Sequence, residues 1–217
     1  MIASGRHALL CVVALAAQSA VAADLRVEVR DPSGRPVADA AVYALPDKPG
    51  QLEGPRKATI DQVGRQFVPR VSVIQTGTAV MFPNSDNIRH SVYSFSPAKT
   101  FELKIYSGVP AAPVVFDKPG IVVMGCNIHD SMVAWVLVVD TPYFARTDTA
   151  GDATLPNLPP GNYTLRAWST SMRHEENGEP LEVGFSSLPA RVLHVEPDEP
   201  EPAKAVPMDD KMEGMIH

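Results

Sequence analysis

The amino-acid sequence predicts an all-β protein with a sandwich or barrel architecture. Short apolar or alternating segments recur along most of the chain, and this pattern is typical of β-strands. Residues that favour turns, chiefly Pro, Gly, Asn and Ser, separate these segments. No stretch of about ten or more residues has the periodicity of an amphipathic helix. Short strands at regular spacing are characteristic of β-sandwiches and β-barrels.

The first residues are typical of a secretory signal peptide. A basic start at Arg6 is followed by an apolar run from Ala8 to Ala17 and a small-residue cleavage motif ending at Ala22. The run is too short for a transmembrane helix, which needs about 20 apolar residues, and no later run is long enough either. We therefore expect residues 1–22 to be removed and the mature protein to be periplasmic, without a membrane span.

Strands are expected through the rest of the chain. The segment "LRVEVR" alternates apolar and polar residues, "DPSGRP" forms a turn, and "VADAAVYAL" follows as a second strand. The Pro- and Gly-rich segment "PDKPGQLEGPRKA" is predicted to be a loop. Six further strand segments then follow: "VSVIQ", "AVMF", "HSVYSF", "FELKI", "IVVM" and "VAWVLVV". The stretch "TDTAGDATLPNLPPGNYTLRAW" predicts a turn, a short strand, a second turn and another strand.

The C-terminal segment 197–217 is predicted to be a disordered acidic tail, because it is rich in Pro and acidic residues and poor in core-forming ones. The formal charge of the chain is −6. Most of that charge lies between Glu196 and His217, where there are seven acidic residues and two basic ones. The remaining body is close to neutral, which argues against a nucleic-acid partner.

One cysteine remains after the signal segment, and it lies in a distinctive motif. Exported proteins meet an oxidising environment in which paired cysteines are the norm. The unpaired Cys126 therefore indicates intermolecular pairing, a reactive thiol or a thiolate that binds a metal. His129 follows three residues later and Met132 three residues after that. A thiolate, an imidazole and a thioether form a soft, mixed donor set of the kind that suits copper.

These three residues are expected to lie on a loop between two strands. Alternate positions of a single strand would direct Cys126 and His129 to opposite faces of the sheet. His90, at the start of the strand "HSVYSF" after a polar turn, is a candidate fourth ligand, because strands distant in sequence become neighbours in a sandwich. Glu102 is a conceivable substitute ligand, although its strand shows ordinary alternation.

The Cys-x2-His-x2-Met motif, with an upstream His that begins a strand, resembles the cupredoxins, the type 1 blue-copper family of the amicyanin and plastocyanin kind. The resemblance covers residues 59–140 and implies a Greek-key β-sandwich that holds one type 1 copper per chain. It implies that His90, Cys126 and His129 form the trigonal ligand set and that Met132 is the axial ligand. Many family members have Asn directly after the first His, where this chain has Ser91.

The flanking segments carry a second resemblance. The stretches "VEVRDPSGRPVADAAVYAL" and "TDTAGDATLPNLPPGNYTLRAW" are similar to the two halves of a carboxypeptidase-regulatory-like β-sandwich. The cupredoxin domain would then be inserted into this second small sandwich, whose halves are residues 24–46 and 141–196. The layout as a whole resembles bacterial methylamine-utilisation-type proteins.

These resemblances imply one-electron transfer by a copper protein that is not an enzyme. The expected partner is a redox protein, either a dehydrogenase or a c-type cytochrome, docked at an apolar rim. A periplasmic copper carrier or storage protein with the same ligands is the alternative. The residues alone also allow a buried free thiol, a structural sandwich with a vestigial site, or a Cys–His nucleophile, for which no acid partner is identifiable.

The tail carries a separate hypothesis. Met208, Met212, Met215 and His217 are soft donors on an acidic segment. Thioethers and imidazole can hold Cu(I), so the hypothesis is that this tail captures copper and passes it to the motif, or receives copper from a donor. The alternative is a solvated tail without a role in metal binding.

Overall fold

The computed structural model describes residues 22–48, 50, 56–172, 179–184 and 188–197. The predicted signal peptide, apart from its last residue, and the predicted acidic tail beyond residue 197 therefore lie outside the described residues. Within the described ranges all regular secondary structure is β-strand, which confirms the all-β prediction. That part of the chain accordingly has no helix that is long and apolar enough to span a bilayer.

The described residues form seventeen strands. In chain order they are β1 (Ala23–Arg30), β2 (Ala41–Pro46), β3 (Lys57–Thr59), β4 (Asp61–Val63), β5 (Gln66–Val68), β6 (Val71–Gln75), β7 (Thr78–Met81), β8 (His90–Ser96), β9 (Lys99–Tyr106), β10 (Val114–Phe116), β11 (Gly120–Cys126), β12 (His129–Val139), β13 (Phe144–Arg146), β14 (Asp152–Leu158), β15 (Gly161–Trp168), β16 (Glu179–Val183) and β17 (Arg191–His194).

Strands from both ends of the described chain build one pair of sheets, which we call the flanking sandwich. One sheet has the order β14-β1-β17 and the other has the order β13-β2-β15-β16. Alternation in β1 directs Leu25, Val27 and Val29 inward, as the sequence predicts. The two sheets share one apolar core, which includes Leu25, Val27, Val29, Tyr43, Leu155, Leu158, Leu165 and Trp168.

The strands in between build the second unit, which we call the site sandwich. Its five-stranded sheet has the order β6-β12-β11-β8-β9, and it faces a three-stranded sheet of order β10-β7-β3. The hairpin β4–β5 lies beside them. The shared core includes Ile60, Phe67, Val80, Phe82, Val92, Phe116, Val122, Met124, Cys126, Met132, Ala134 and Val136.

The two sandwiches meet through strand β12. Its residues Ala134 and Val136 face the core of the site sandwich. Leu137 and Val139 belong instead to the core of the flanking sandwich. Because β12 is covered on both faces, its sequence is a continuous apolar run rather than an alternating one.

Several short strands differ from the sequence prediction. The segment predicted to be a loop ends in β3, and the sequence does not predict the strands β4, β5, β10, β13, β16 and β17. The predicted second strand is shorter than expected, because it begins only at Ala41. Strands of three residues contain too few positions for their alternation to be visible in a sequence.

Candidate metal centre

The Cys-His-Met motif forms a tight β-hairpin. Cys126 is the last residue of β11 and His129 is the first residue of β12, so that only Asn127 and Ile128 separate the two strands. The expectation that the three motif residues lie on a loop is therefore wrong. Successive residues of one strand point to opposite faces of the sheet, and the expectation of a loop assumed a single strand. Cys126 and His129 instead lie on two neighbouring strands and are paired with each other across the hairpin.

A bulge brings Met132 back to the interior. Cys126 is paired with His129, whereas the preceding residue Gly125 is paired with Val133. The β12 residues between these pairs, including Met132, therefore have no partner on β11 and depart from the regular ladder. Met132 is buried in the same apolar core as Cys126. The bulge thus places a thioether and the thiol in one buried cluster.

Three of the four predicted ligands lie together. One donor atom from each of His90, Cys126 and His129 lies within 4.8 Å of the others, so these side chains could hold one metal ion. The Cys126 Sγ is 3.9 Å from the His90 Nδ1. The centroids of the His90 and His129 rings are 5.0 Å apart, and the angle between the ring planes is 62°. His90 and Cys126 are buried, and His129 is partly exposed.

The chemistry of this group fits a metal ion. The His129 Nδ1 is buried and has no hydrogen-bond partner, which is costly for a ring nitrogen unless another group binds it. Cys126 is a free, buried thiol. Two imidazole nitrogens and a thiolate suit soft or borderline metals such as copper and zinc better than hard cations. Glu102 is not part of the group, because it lies on an exposed position of β9 opposite Tyr93.

Ser91 connects the two segments that supply the ligands. Its Oγ accepts a hydrogen bond of 3.0 Å from the backbone N–H of Asn127 in the hairpin turn. The same hydroxyl lies 3.8 Å from the Cys126 Sγ and can donate to it. Ser91 therefore holds β8 against the hairpin.

Gly125 is a second residue whose role the sequence does not reveal. It is paired with Tyr93 of β8, whose ring lies directly over it. A Cβ atom at position 125 would lie 2.8 Å from the Tyr93 Oη and 2.9 Å from its Cζ. The residue before the cysteine must therefore lack a side chain for Tyr93 to pack there.

Asp86 is also absent from the sequence-based site, although it contacts a predicted ligand. Its Oδ2 lies 2.8 Å from the His90 Nε2. The backbone N–H of Arg65 and the hydrogen bond with His90 lower the pKa of the Asp86 carboxyl below its usual value. The only sequence signal is the polar turn "NSDN" before His90, which is equally typical of an ordinary surface turn.

Comparisons with known proteins give a partial structural match. No protein-family model matches the chain, and no curated protein matches it. A copper-containing nitrite reductase from Thermus scotoductus SA-01 is similar, at 25% identity and a TM-score of 0.37, over 52% of this chain and 28% of that chain. A purple cupredoxin from Nitrosopumilus maritimus is similar at 23% identity and a TM-score of 0.34, over 38% of this chain and 99% of that chain. A reduced variant of amicyanin is similar at 17% identity and a TM-score of 0.34, over 45% of this chain and 99% of that one.

Proposed function

We propose that this chain is an exported type 1 copper protein that transfers single electrons between redox proteins. The observation that carries the proposal is the His90–Cys126–His129 group, with one donor atom of each residue within 4.8 Å of the others. Two His, one Cys and a long axial Met form the donor pattern of blue-copper sites, and Met132 lies in the same buried cluster as Cys126. Copper, when bound, supplies the reversible one-electron step.

The residues around the group favour a fixed geometry. His90 and Cys126 are buried, and Cys126 ends a strand that is paired on both sides. The tight hairpin and the Ser91 hydrogen bonds limit the movement of the donors relative to one another. A site that rearranges little between two oxidation states is suited to electron transfer, because little reorganisation accompanies the step.

The partner would be another redox protein, either a dehydrogenase or a c-type cytochrome. His129 is partly exposed, and its neighbour Ile128 is 51% exposed. Ile88, two residues before His90, is 37% exposed. An apolar rim of this kind, on a nearly neutral body, favours docking by apolar contact rather than by strong charge attraction. Periplasmic export and a carrier rather than an enzymatic role belong to the same proposal.

The flanking sandwich would be a carboxypeptidase-regulatory-like unit into which the copper domain is inserted. The support is that β1 and β2, with β13 to β17, share one core, whereas β3 to β12 lie between them in sequence. The proposed limits are 24–46 and 141–196 for the two halves and 59–140 for the copper domain. Separate expression of residues 56–140, which is the proposed copper domain with β3 kept complete, tests this division, since an independent copper domain would fold and bind Cu(II).

The visible spectrum of the mature protein with Cu(II) tests the function. We expect one copper per chain and an intense blue colour from thiolate-to-Cu(II) charge transfer, which Cys126→Ser abolishes. A colourless Cu(II) complex, or a spectrum unchanged in Cys126→Ser, would falsify the proposal. A copper carrier or storage protein would bind copper but show slow electron self-exchange, so this rate separates the two functions.

Variants of Met132 test the axial position. Met132→Leu should keep the colour and raise the reduction potential, because a weak donor is lost and the site becomes drier. Met132→Gln should lower the potential. If neither change moves the potential, Met132 is a core residue and not a ligand.

A further inference from the structure

We propose that Asp86 is a positioning residue that fixes which nitrogen of His90 faces the metal and lowers the reduction potential of the site. The inference rests on the proposed function and adds a residue outside the ligand set. The His90 side chain is fully buried, and the Asp86 side chain is only 14% exposed. Their contact of 2.8 Å between the His90 Nε2 and the Asp86 Oδ2 is therefore largely shielded from water.

The Asp86 carboxylate is itself held in place by a separate hairpin. The turn between β4 and β5 consists of Gly64 and Arg65, both with a φ of 60°. Successive residues in turn conformations of this kind direct their backbone N–H groups to one side and create a small anion-binding concavity. The Gly64 N–H donates to the Asp86 Oδ1 at 2.6 Å, and the Arg65 N–H donates to the Oδ2 at 2.9 Å. The hairpin thereby fixes the carboxylate in one orientation.

This arrangement determines the tautomer of His90. An ionised carboxylate only accepts hydrogen bonds, so the contact with Asp86 requires the proton on the His90 Nε2. In the neutral imidazole the Nδ1 is then unprotonated, and this is the atom 3.9 Å from the Cys126 Sγ. Carboxylates that orient a ligand imidazole in this way also raise its basicity. Asp86 therefore leaves the unprotonated nitrogen of His90 on the side of the Cys126 sulfur.

The charge of Asp86 has a second consequence. A fixed negative charge next to a ligand stabilises the more positive oxidation state of the metal more than the less positive one, and burial reduces its screening. Asp86 should for that reason favour Cu(II) over Cu(I) and lower the reduction potential. The hydrogen bond to His90 and the charge can still be separated. The asparagine carbonyl oxygen can take the place of the Oδ2 and accept from the Arg65 N–H and the His90 Nε2, so that the variant loses the charge and the bond from the Gly64 N–H.

Asp61 provides a matched control on the same hairpin. Its Oδ2 accepts a hydrogen bond of 2.7 Å from the Ser85 Oγ, and its Oδ1 accepts one of 3.3 Å from the Ser85 N–H. The substitution Asp61→Asn therefore removes the same charge and disturbs the same region. It leaves the contact between Asp86 and His90 intact.

The first experiment uses the metal-free protein. We expect the nitrogen NMR signals of His90 to show a single tautomer with the proton on Nε2 in the wild type, in Asp86→Asn and in Asp61→Asn. In Asp86→Ala both tautomers should be populated. Affinity for Zn(II), a probe without redox chemistry, should then fall roughly 10- to 100-fold in Asp86→Ala and not in Asp61→Asn. Thermal unfolding of the metal-free variants establishes that each one is folded.

The second experiment uses the copper-loaded protein. Asp86→Asn should raise the reduction potential, because it weakens the binding of Cu(II) more than that of Cu(I). Each tenfold difference between these two losses of affinity corresponds to about 59 mV. Asp61→Asn should cause a clearly smaller shift. An Nδ1-protonated His90 in the wild type, or equal potential shifts in the two asparagine variants, overturns the inference. If the copper complex is not blue but the tautomer and Zn(II) results hold, the positioning role stands and only the electron-transfer function fails.

Discussion

The two sandwiches bury different kinds of polar side chain. Among the described residues of the flanking sandwich, the buried polar side chains other than Tyr and Trp are short hydroxyls, Thr141, Thr147 and Ser169. The hydroxyl of Thr141 donates to the backbone carbonyl of Ala44, and that of Thr147 donates to the carbonyl of Val37. These bonds satisfy the backbone where strands meet, and they stabilise the fold without creating a reactive group.

The site sandwich also buries short hydroxyls, those of Thr78, Ser91 and Ser94. In addition it buries longer groups with several donors and acceptors, which include Gln62, Asn84 and His90. The Gln62 amide and the Tyr106 hydroxyl form a hydrogen bond of 2.6 Å, and that hydroxyl donates to the carbonyl of Phe82. The Oε1 of Gln62, like the Nδ1 of His129, is buried without a partner. Such groups cost stability, and the His129 nitrogen belongs to the candidate metal centre.

The largest expected effect is a loss of stability in the flanking sandwich, and it tests whether that sandwich serves the fold rather than the metal centre. Trp168 is fully buried, and its indole N–H donates to the carbonyl of Met172 at 3.2 Å. We expect Trp168→Ala to lower the free energy of unfolding by about 3–5 kcal/mol, because it leaves a large cavity. Urea unfolding of the metal-free protein measures the loss. The Cu(II) spectrum of the remaining folded protein should be unchanged.

Cys126→Ser is the matched variant in the site sandwich. Serine is close to cysteine in size, so we expect a much smaller loss of stability in the metal-free protein and a complete loss of the blue colour. If Trp168→Ala also changed the spectrum of the folded fraction, the division of roles between the two sandwiches would be wrong.

An intermediate effect is expected at Gly125. Gly125→Ala places a Cβ 2.8 Å from the Tyr93 Oη, so the ring or the strand must move. Overpacking of this kind costs about 1–3 kcal/mol, and here it also displaces the residue before Cys126. We therefore expect both a loss of stability and a shift of the blue absorption band. The double variant Gly125→Ala with Tyr93→Val should recover most of both, and additive effects of the two substitutions would refute the steric explanation.

The sequence predicts the long elements well and the contacts between distant segments poorly. Alternation identifies β1, and the apolar run identifies β12 because both of its faces are covered. Cys126, His129 and Met132 are visible because three soft donors lie within seven residues. Alternation cannot show where a strand turns back, and for that reason the tight hairpin was expected to be a loop.

Asp86 could not have been identified from the sequence. Its role depends on the Gly64–Arg65 turn, and the bond to Gly64 spans a sequence separation of 22 residues. The strands β4 and β5 that form this turn have three residues each, too few for a periodic signal. The role of Ser91 is likewise not visible in the sequence, because its bond to the Asn127 N–H depends on the folded position of the hairpin.

A smaller effect, common to both sandwiches, is expected at alkaline pH. Burial raises the pKa of Tyr106 to about 12, and burial likewise raises the pKa of Tyr163 to about 12. The stability that each contributes is fully present below the unfolded-state pKa near 10 and is lost as the pH rises towards 12. Urea unfolding at about pH 9 and about pH 11.5, on either side of the unfolded-state pKa, should show this loss. Tyr106→Phe and Tyr163→Phe should each reduce the difference between the two pH values, and an undiminished difference in both would exclude these tyrosines as its source.

The smallest expected effect concerns an exposed residue of each sandwich. Ile128 in the hairpin turn is 51% exposed, and Val192 of β17 in the flanking sandwich is 48% exposed. If partners dock at the apolar rim beside His129, Ile128→Ser should slow electron self-exchange by up to about tenfold, which corresponds to about 1.4 kcal/mol. Its absorption spectrum and reduction potential should stay as in the wild type, because the side chain is not a ligand.

Val192→Ser is the control. It removes an apolar surface of similar exposure far from the ligands in sequence and should leave the self-exchange rate unchanged. Equal rates in the two variants would place the docking surface elsewhere on the protein.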